Sequence, residues 1–371
     1  MQISLYPDLA PITRHARAMY SSRMLIAAVH HLNVFEYLID GPLSLADLQE
    51  RIGLRERPAM VLFPALCAMQ MLEYDSEGKI QLTAIGQHLT RGATPTLMDY
   101  VGLEKNDPGV IEMAERLRND GLPQPEPTGI AYVKEGNAPS PMDDPEIARF
   151  LTMALAGRAE CLAPLVAEKL PKHSGHLLDV AGGTGYFTYE WLLVNPQATA
   201  TLFDRPAVLV VAKEILEAFC QNGRSGAASV KERVRFQPGD MLSDELPPTD
   251  LLLAASLFHD WPTKTCQLLA HRFAAALRPE GELWIHDAFL NDELDGPLAV
   301  TDYSAQLFWV TKGRAYSRRE YRAFLSNAGL IPTLGSFSTQ MDYGLIWAKK
   351  PHSAEIDNKN LKTLPKLQSL T

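Results

Sequence analysis

The chain reads as an α/β protein in which a Rossmann-like parallel sheet follows a helical, winged-helix-like N-terminal region. Three observations predict this. Residues 177–187, Leu-Leu-Asp-Val-Ala-Gly-Gly-Thr-Gly-Tyr-Phe, form an apolar strand pattern that stops at glycines and resumes as a helix; strand and helix patterns alternate over residues 177–285; and residues 44–82 run helix, helix, hairpin. Glycines in such a turn allow positive φ and close approach of a ligand to the main chain. The turn lacks the Lys-Ser/Thr pair of a phosphate-cradling loop. Asp179 precedes it, and Asp204 closes the next apolar run, 199–203, where a carboxylate is placed to take ribose hydroxyls. A nucleotide-like ligand is implied.

Taken in chain order, Ala16, Met19, Tyr20, Met24, Leu25, Ala28, Leu32, Phe35 and Leu38 recur at steps of three and four, which predicts one helix over 12–38. Its apolar residues occupy more than one face, as suits packing against a second subunit. Ser44 stands at an N-cap, Gly53 ends that helix, and 57–72 supplies another. Residues 73–75 and 79–82 flank Ser76-Glu77-Gly78, a hairpin with glycine at its turn. The second helix, Pro58 through Leu66, is almost wholly apolar where a DNA-reading helix would present Arg, Lys, Asn or Gln. With a net charge of −9, this favours a dimerising role and argues against nucleic acid as a partner. Prolines 123, 125, 127, 139, 141 and 145 mark a connecting region, and a helix over 145–170 leads into the glycine turn. Strands at 177–180, 199–203, 234–237, 251–255 and 283–285, with helices between them, predict a parallel sheet covered on both faces. Ligands bind at the carboxyl ends of such strands, where Asp179, Asp204, Asp240 and His259 fall. The implied division is a dimerisation domain at 1–105, a helical linker and substrate-side region at 106–170, a cofactor-binding catalytic domain at 171–350, and a flexible tail at 351–371.

With 371 residues and 46% hydrophobic content, the chain can build two or three domains with cores. Cys67, Cys161, Cys220 and Cys266 are scattered with no CxxC pair and no histidine at ligand spacing, so neither disulfides nor a metal is expected. No run approaches the roughly 18 consecutive apolar residues of a membrane helix, and the first residues lack a signal-peptide pattern. A cytoplasmic protein without a membrane partner is expected.

Two further strand ends carry chemistry. Gly239-Asp240-Met241 follows strand 234–237 and suits an adenine, with the carboxylate accepting from an exocyclic amine and the thioether lying on the ring. Leu257-Phe258-His259-Asp260-Trp261-Pro262 follows strand 251–255 and brings a histidine, a carboxylate and an indole together. His259 there is a candidate general base for a phenol or other acidic hydroxyl, the alternative being a helix cap or a satisfied buried histidine.

These motifs, in this order and spacing, resemble the S-adenosylmethionine-dependent small-molecule O-methyltransferases, the group that includes caffeate, hydroxyindole and bacterial polyketide-tailoring enzymes. The resemblance covers nearly the whole chain and implies a class I methyltransferase fold, a homodimer formed through the N-terminal domain, and S-adenosylmethionine as cofactor. It implies that Gly182 and Gly185 approach the amino-acid end of that cofactor, that Asp179 is among its binding residues, that Asp204 takes the ribose, that Asp240 and Met241 hold the adenine with Trp261 packing nearby, and that His259 deprotonates the acceptor.

Three positions depart from the family pattern: Ala181 replaces a glycine, Asp287 stands where a Glu commonly orients the histidine, and Ala315 stands where a second Glu is usual. Asp287 can still orient His259, with an arm shorter by a methylene. Apolar and aromatic residues of the cavity are expected at Met153, Phe258, Tyr303, Leu307, Phe308 and Trp309, helped by Tyr20, and suit a small aromatic or polyketide-like acceptor. The alternatives are a C-methylating or non-methylating enzyme on the same scaffold (decarboxylation with hydroxylation, or pericyclic chemistry) and a winged-helix regulator.

Overall fold

The computed structural model describes residues 6–121, 140–172 and 175–352. Most of the proline-rich connection and nearly all of the predicted flexible tail lie outside the described residues. The first helix, α1 (Ala10–His30), is shorter than its apolar spacing predicts, and a separate 3₁₀ turn covers Val34–Leu38. The break falls at Asn33, whose φ of +51° is left-handed, a conformation asparagine tolerates and a helix cannot continue through. Then come α2 (Leu45–Ile52), capped by Ser44 and ended at Gly53, and α3 (Glu56–Ala68). The predicted hairpin forms as β1 (Leu72–Tyr74) and β2 (Ile80–Leu82), antiparallel, with Gly78 at φ +77° in its turn. Two further helices, α4 (Met98–Val101) and α5 (Pro108–Asn119), complete the N-terminal region.

Asp144 caps α6 (Pro145–Lys169) by accepting from the Glu146 and Ile147 amides at 2.9 and 3.0 Å. An 18-residue window of α6 has a mean hydropathy of 1.4, so by length and composition it could cross a membrane, although no uninterrupted apolar run was expected. Half of that window is buried, and the helix packs against the next two helices of the sheet region, which is the setting of a core helix. After α6 come β3 (His176–Val180), α7 (Tyr186–Val194), β4 (Thr199–Asp204), α8 (Pro206–Cys220), α9 (Ala227–Val230), β5 (Val234–Pro238) and β6 (Thr249–Ala255). They are followed by α10 (Thr263–Ala276), β7 (Leu277–Asp287), β8 (Phe289–Leu290), α11 (Leu298–Val310), β9 (Tyr316–Ser317), α12 (Arg318–Asn327), β10 (Ile331–Pro332), β11 (Phe337–Ser338) and β12 (Gly344–Lys349).

The central sheet has the order β10-β12-β7-β6-β3-β4-β5, with β11 also paired to β12. β3 through β7 are parallel as expected, but β12 runs antiparallel to β7 over Gly344 to Lys349, so the sheet is mixed. The chain moves outward from β3 through β4 to β5 and then returns to the other side of β3 at β6. This reversal splays the β3 and β6 carboxyl ends into a crevice, the usual ligand position in open α/β sheets.

The N-terminal and catalytic regions share apolar packing. Ala305 and Phe308 of α11 are buried with Met24, Leu62 and Met113 of the N-terminal helices. The division at 1–105 therefore runs through a common core.

Candidate active site

The glycine turn between β3 and α7 is held from below. Asp179 is fully buried, and its Oδ2 accepts the Thr188 hydroxyl at 2.7 Å. Its Oδ1 has no partner among the described residues, and burial pushes the carboxyl up to about 7. A side chain on Gly182 would overlap Leu202 and that carboxyl, so glycine lets the turn settle onto Asp179. Gly185, at φ +80°, starts α7 with the Tyr189 ring packed where a Cβ would stand. Gly182 and Gly183 line a cavity above the turn, whereas Asp179 and Gly185 support it from outside. Ala181, at φ +55°, takes the left-handed conformation that a glycine would adopt without strain. Ser256 does the same beyond β6 at φ +53°, and both residues line the cavity.

Asp204 closes β4. Its Oδ2 accepts the Gly183 amide at 2.8 Å, its Oδ1 accepts the Arg205 amide at 2.7 Å, and burial raises the carboxyl to about 6. Asp240, beyond β5, accepts the Leu242 amide at 2.9 Å and pairs with Arg205 Nη1 at 3.1 Å. The Arg205 Nε also donates to Asp143 at 2.8 Å, so one guanidinium ties the segment before α6 to the end of β5. Asp204, Arg205, Asp240, Met241 and Trp261 all face the same cavity.

The 3₁₀ turn Phe258–Asp260 beyond β6 carries His259, which is only 3% exposed. Its Nδ1 lies 2.5 Å from Asp287 Oδ1. The last residue of β7, Asp287 is completely buried and also accepts the Tyr321 hydroxyl at 2.6 Å and the Ala288 amide at 2.8 Å. Burial alone would raise this carboxyl, but His259 and these donors carry it below the usual range. A carboxylate so anchored accepts the Nδ1 proton of the neutral ring and leaves Nε2 as the acceptor. Burial pulls the His259 imidazole down, yet the Asp287 and Asp260 carboxylates outweigh it and raise its pKa above the ordinary value. Asp260 Oδ1 is 3.6 Å from Nε2, and burial raises that carboxyl to about 6. The neighbouring His286 is a different case, since burial drops it to about 3 and holds it neutral.

Asp287 thus reaches His259 despite its shorter arm. Ala315 is wholly buried and meets its neighbours through its backbone, the amide donating to Ser304 Oγ at 3.1 Å and the carbonyl accepting from Arg314 at 2.9 Å; the second side chain on Asp287 is the Tyr321 phenol. Nothing in the sequence pattern pointed to Tyr321.

Of the residues expected around the acceptor, Tyr303 alone reaches the histidine, with its hydroxyl 3.2 Å from Nε2. Phe258 points away from the cavity and packs edge-on against Phe273 and Tyr321. Leu307 is buried in the main core, Phe308 in the N-terminal core, and Trp309 lies edge-on to Tyr20, because those faces of α11 meet other helices. Met153 is 49% exposed on the outer face of α6. The inward stripe of α6 is instead Leu151, Thr152, Leu155, Arg158 and Ala159, all lining the cavity. Helical phase could have selected this stripe once α6 was set beside the glycine turn.

Residues 161–331 match the family model described as an O-methyltransferase domain. The chain is 27% identical over 327 residues to the 3-hydroxy-5-methyl-1-naphthoate 3-O-methyltransferase of Streptomyces sahachiroi, covering 86% of this chain and 88% of that one. It is likewise 27% identical to the acetylserotonin O-methyltransferase of Bos taurus, over 86% of this chain and 91% of the other. Among solved structures, an O-methyltransferase family 2 protein from Planctomyces limnophilus, in complex with apigenin, superposes with a TM-score of 0.81 at 34% identity, over 94% of this chain and 99% of that one.

Proposed function

The chain belongs to the O-methyltransferase family, and from that premise we propose that His259 is the general base of an S-adenosylmethionine-dependent transfer to the hydroxyl of a small aromatic or polyketide-like acceptor. The observation that carries this reading is the anchored pair of Asp287 on Nδ1 and a proton-accepting Nε2 at the carboxyl end of β6. The cavity residues fit the cofactor: Gly182 lets the turn lie close under a ligand, Asp204 offers a carboxylate for ribose hydroxyls, and Asp240, Met241 and Trp261 suit an adenine. When bound, the cofactor supplies an electrophilic methyl group on a sulfonium.

The protein's own part is binding, alignment and one proton. His259 Nε2 takes the proton of the acceptor hydroxyl, and the Asp287 carboxylate stabilises the imidazolium that results. Burial of the site keeps bulk water from competing for the methyl group. The acceptor class rests on what the similar proteins are named for, a naphthoate, acetylserotonin and a bound apigenin. The retained His259–Asp287 pair favours O-methylation over the non-methylating chemistry that the missing glutamate at Ala315 raised.

The reading is tested by incubating the enzyme with labelled cofactor and a panel of phenols, following S-adenosylhomocysteine and methyl ether by mass spectrometry. His259→Ala should keep cofactor affinity while turnover falls by about 10² or more. Undiminished turnover removes His259 from the mechanism. A homodimer is part of the same proposal, since α1 exposes Ile12 and Met19 at 67% and 47%. Light scattering that returns a monomer at micromolar concentration overturns it.

A further inference from the structure

Arg158, on the cavity stripe of α6, places a guanidinium beside the proposed base. Its Nη1 donates to Tyr343 Oη at 2.7 Å and to Tyr303 Oη at 3.2 Å, and Tyr303 Oη is in turn 3.2 Å from His259 Nε2. Its Nε and Nη2 make no hydrogen bond, and it makes no ion pair within 4 Å, among the described residues. Asp260 lines the same cavity and interacts with Arg158 through charge, but it lies beyond ion-pair distance of the guanidinium and 3.6 Å from the His259 ring. A second guanidinium stands behind: Arg17 is 4% exposed, lies 4.0 Å from the Tyr303 ring centroid, and has an Nη1 with no partner. On the same α6 stripe, the Thr152 hydroxyl lines the cavity and is buried without a partner. Arg158 and Thr152 are thus polar groups set into an otherwise largely apolar stripe of α6, with Leu151, Leu155 and Ala159 beside them. Arg158 therefore brings unused Nε and Nη2 donors to the cavity wall beside the unpartnered Thr152 hydroxyl, and an arginine in that state matches a planar carboxylate.

We infer that Arg158, backed by Arg17 and assisted by Thr152, is a recognition site for a carboxylate on the acceptor, so that the preferred substrates are hydroxyarenecarboxylates rather than neutral phenols. This deepens the proposed function and rests on it for the identity of the cavity. The Arg158 fork takes the carboxylate at one end of the ring system while the hydroxyl reaches His259. Tyr303 fixes the separation between the two, since its hydroxyl touches both groups.

The test reads binding apart from turnover. Titration calorimetry with S-adenosylhomocysteine present should show 2-naphthoate binding at least tenfold more tightly than 2-naphthamide, its neutral analogue. Arg158→Met should bring that ratio to within about twofold of unity and Arg158→Lys should restore part of it, with circular dichroism confirming that both variants fold. Equal affinity of the two ligands for the wild-type protein, or an undiminished ratio in Arg158→Met, overturns the inference. If the ratio behaves as expected but no hydroxynaphthoate is methylated, the carboxylate site stands and the general-base reading falls.

Discussion

The Tyr303 hydroxyl lies 3.2 Å from Nε2 of His259, the ring atom that must accept a proton from the acceptor, and donates to it when Asp287 keeps the ring proton on Nδ1. The phenol is held there by Arg158 and cannot give up its proton readily, because burial raises its pKa well above the ordinary tyrosine value. A donor on the neutral ring nitrogen favours the neutral form and so depresses the basicity of His259. An entering hydroxyl must share or displace this bond. Tyr303→Phe should therefore move the acidic limb of the kcat/KM profile to higher pH, by up to about one unit for a hydrogen bond worth about 1 kcal/mol. A limb that stays in place, or moves to lower pH, shows that the phenol does not act on Nε2.

The opposite displacement is expected on the other side of the ring. The Asp287 carboxylate, with Asp260, holds the His259 pKa above the ordinary histidine value against burial, so activity, which needs the unprotonated ring, is lost as pH falls through that raised pKa. Asp287→Asn leaves burial to dominate and should move that limb to lower pH. The amide can also present an N–H to Nδ1, which puts the ring proton on Nε2, so turnover at the plateau should fall by about 10². A pH–rate series from 5 to 9 separates the two effects, and a limb displaced to higher pH contradicts this electrostatic assignment.

Much of this site is legible in the sequence, because its carboxylates and histidine sit at strand ends within a few residues of strong apolar runs. Asp204, Asp240 and His259 belong to that class, and each strand that carries them formed where its pattern placed it. What stayed hidden depends on the phase and crossing of helices. Met153 and Phe308 are as apolar as any pocket residue, but α6 turns one outward and α11 turns the other into the N-terminal core. Arg158 and Tyr321 were missed for the converse reason: each contacts the site from far along the chain, Tyr321 across 34 residues to Asp287. The antiparallel β12 was hidden because the short strands β10 and β11 stand between it and α12, whereas α10 leads directly into β7. The break in the first helix came from a single left-handed residue, Asn33, inside otherwise regular apolar spacing.

Asp204 supplies a prediction about protons rather than rate. Burial raises its carboxyl to about 6, above its value in the unfolded chain. The folded state therefore holds the proton more tightly, and the stability this contributes is present below pH 4 and lost as pH rises through about 6. Ribose hydroxyls donating to the carboxylate favour its charged form, so binding of S-adenosylhomocysteine near pH 6 should release protons. Calorimetry in two buffers of different ionisation enthalpy measures that release, and identical heats in both would count against Asp204 as the ribose ligand. Asp204→Ala should also weaken binding by about 1 to 3 kcal/mol.

Two glycines allow a paired test of how the histidine is positioned. A Cβ on Gly313, just past α11, would overlap the His259 carbonyl oxygen and the Trp261 amide nitrogen, which are backbone atoms of the turn that carries the base. Backbone cannot swing aside as a side-chain tip does, so Gly313→Ala should push that turn away from Asp287 and destabilise the fold by about 1 to 3 kcal/mol. Gly157, in the middle of α6, has no atom within 4 Å of its Cβ position and an ordinary helical backbone. Gly157→Ala should instead stabilise the helix by about 0.5 to 1 kcal/mol. Chemical denaturation of both variants, with kcat measured alongside, checks the pair. Because His259 must stay 2.5 Å from Asp287 to keep its tautomer, a Gly313→Ala enzyme with unchanged kcat would mean that the turn is free to move and that its packing against the end of α11 does not align the base.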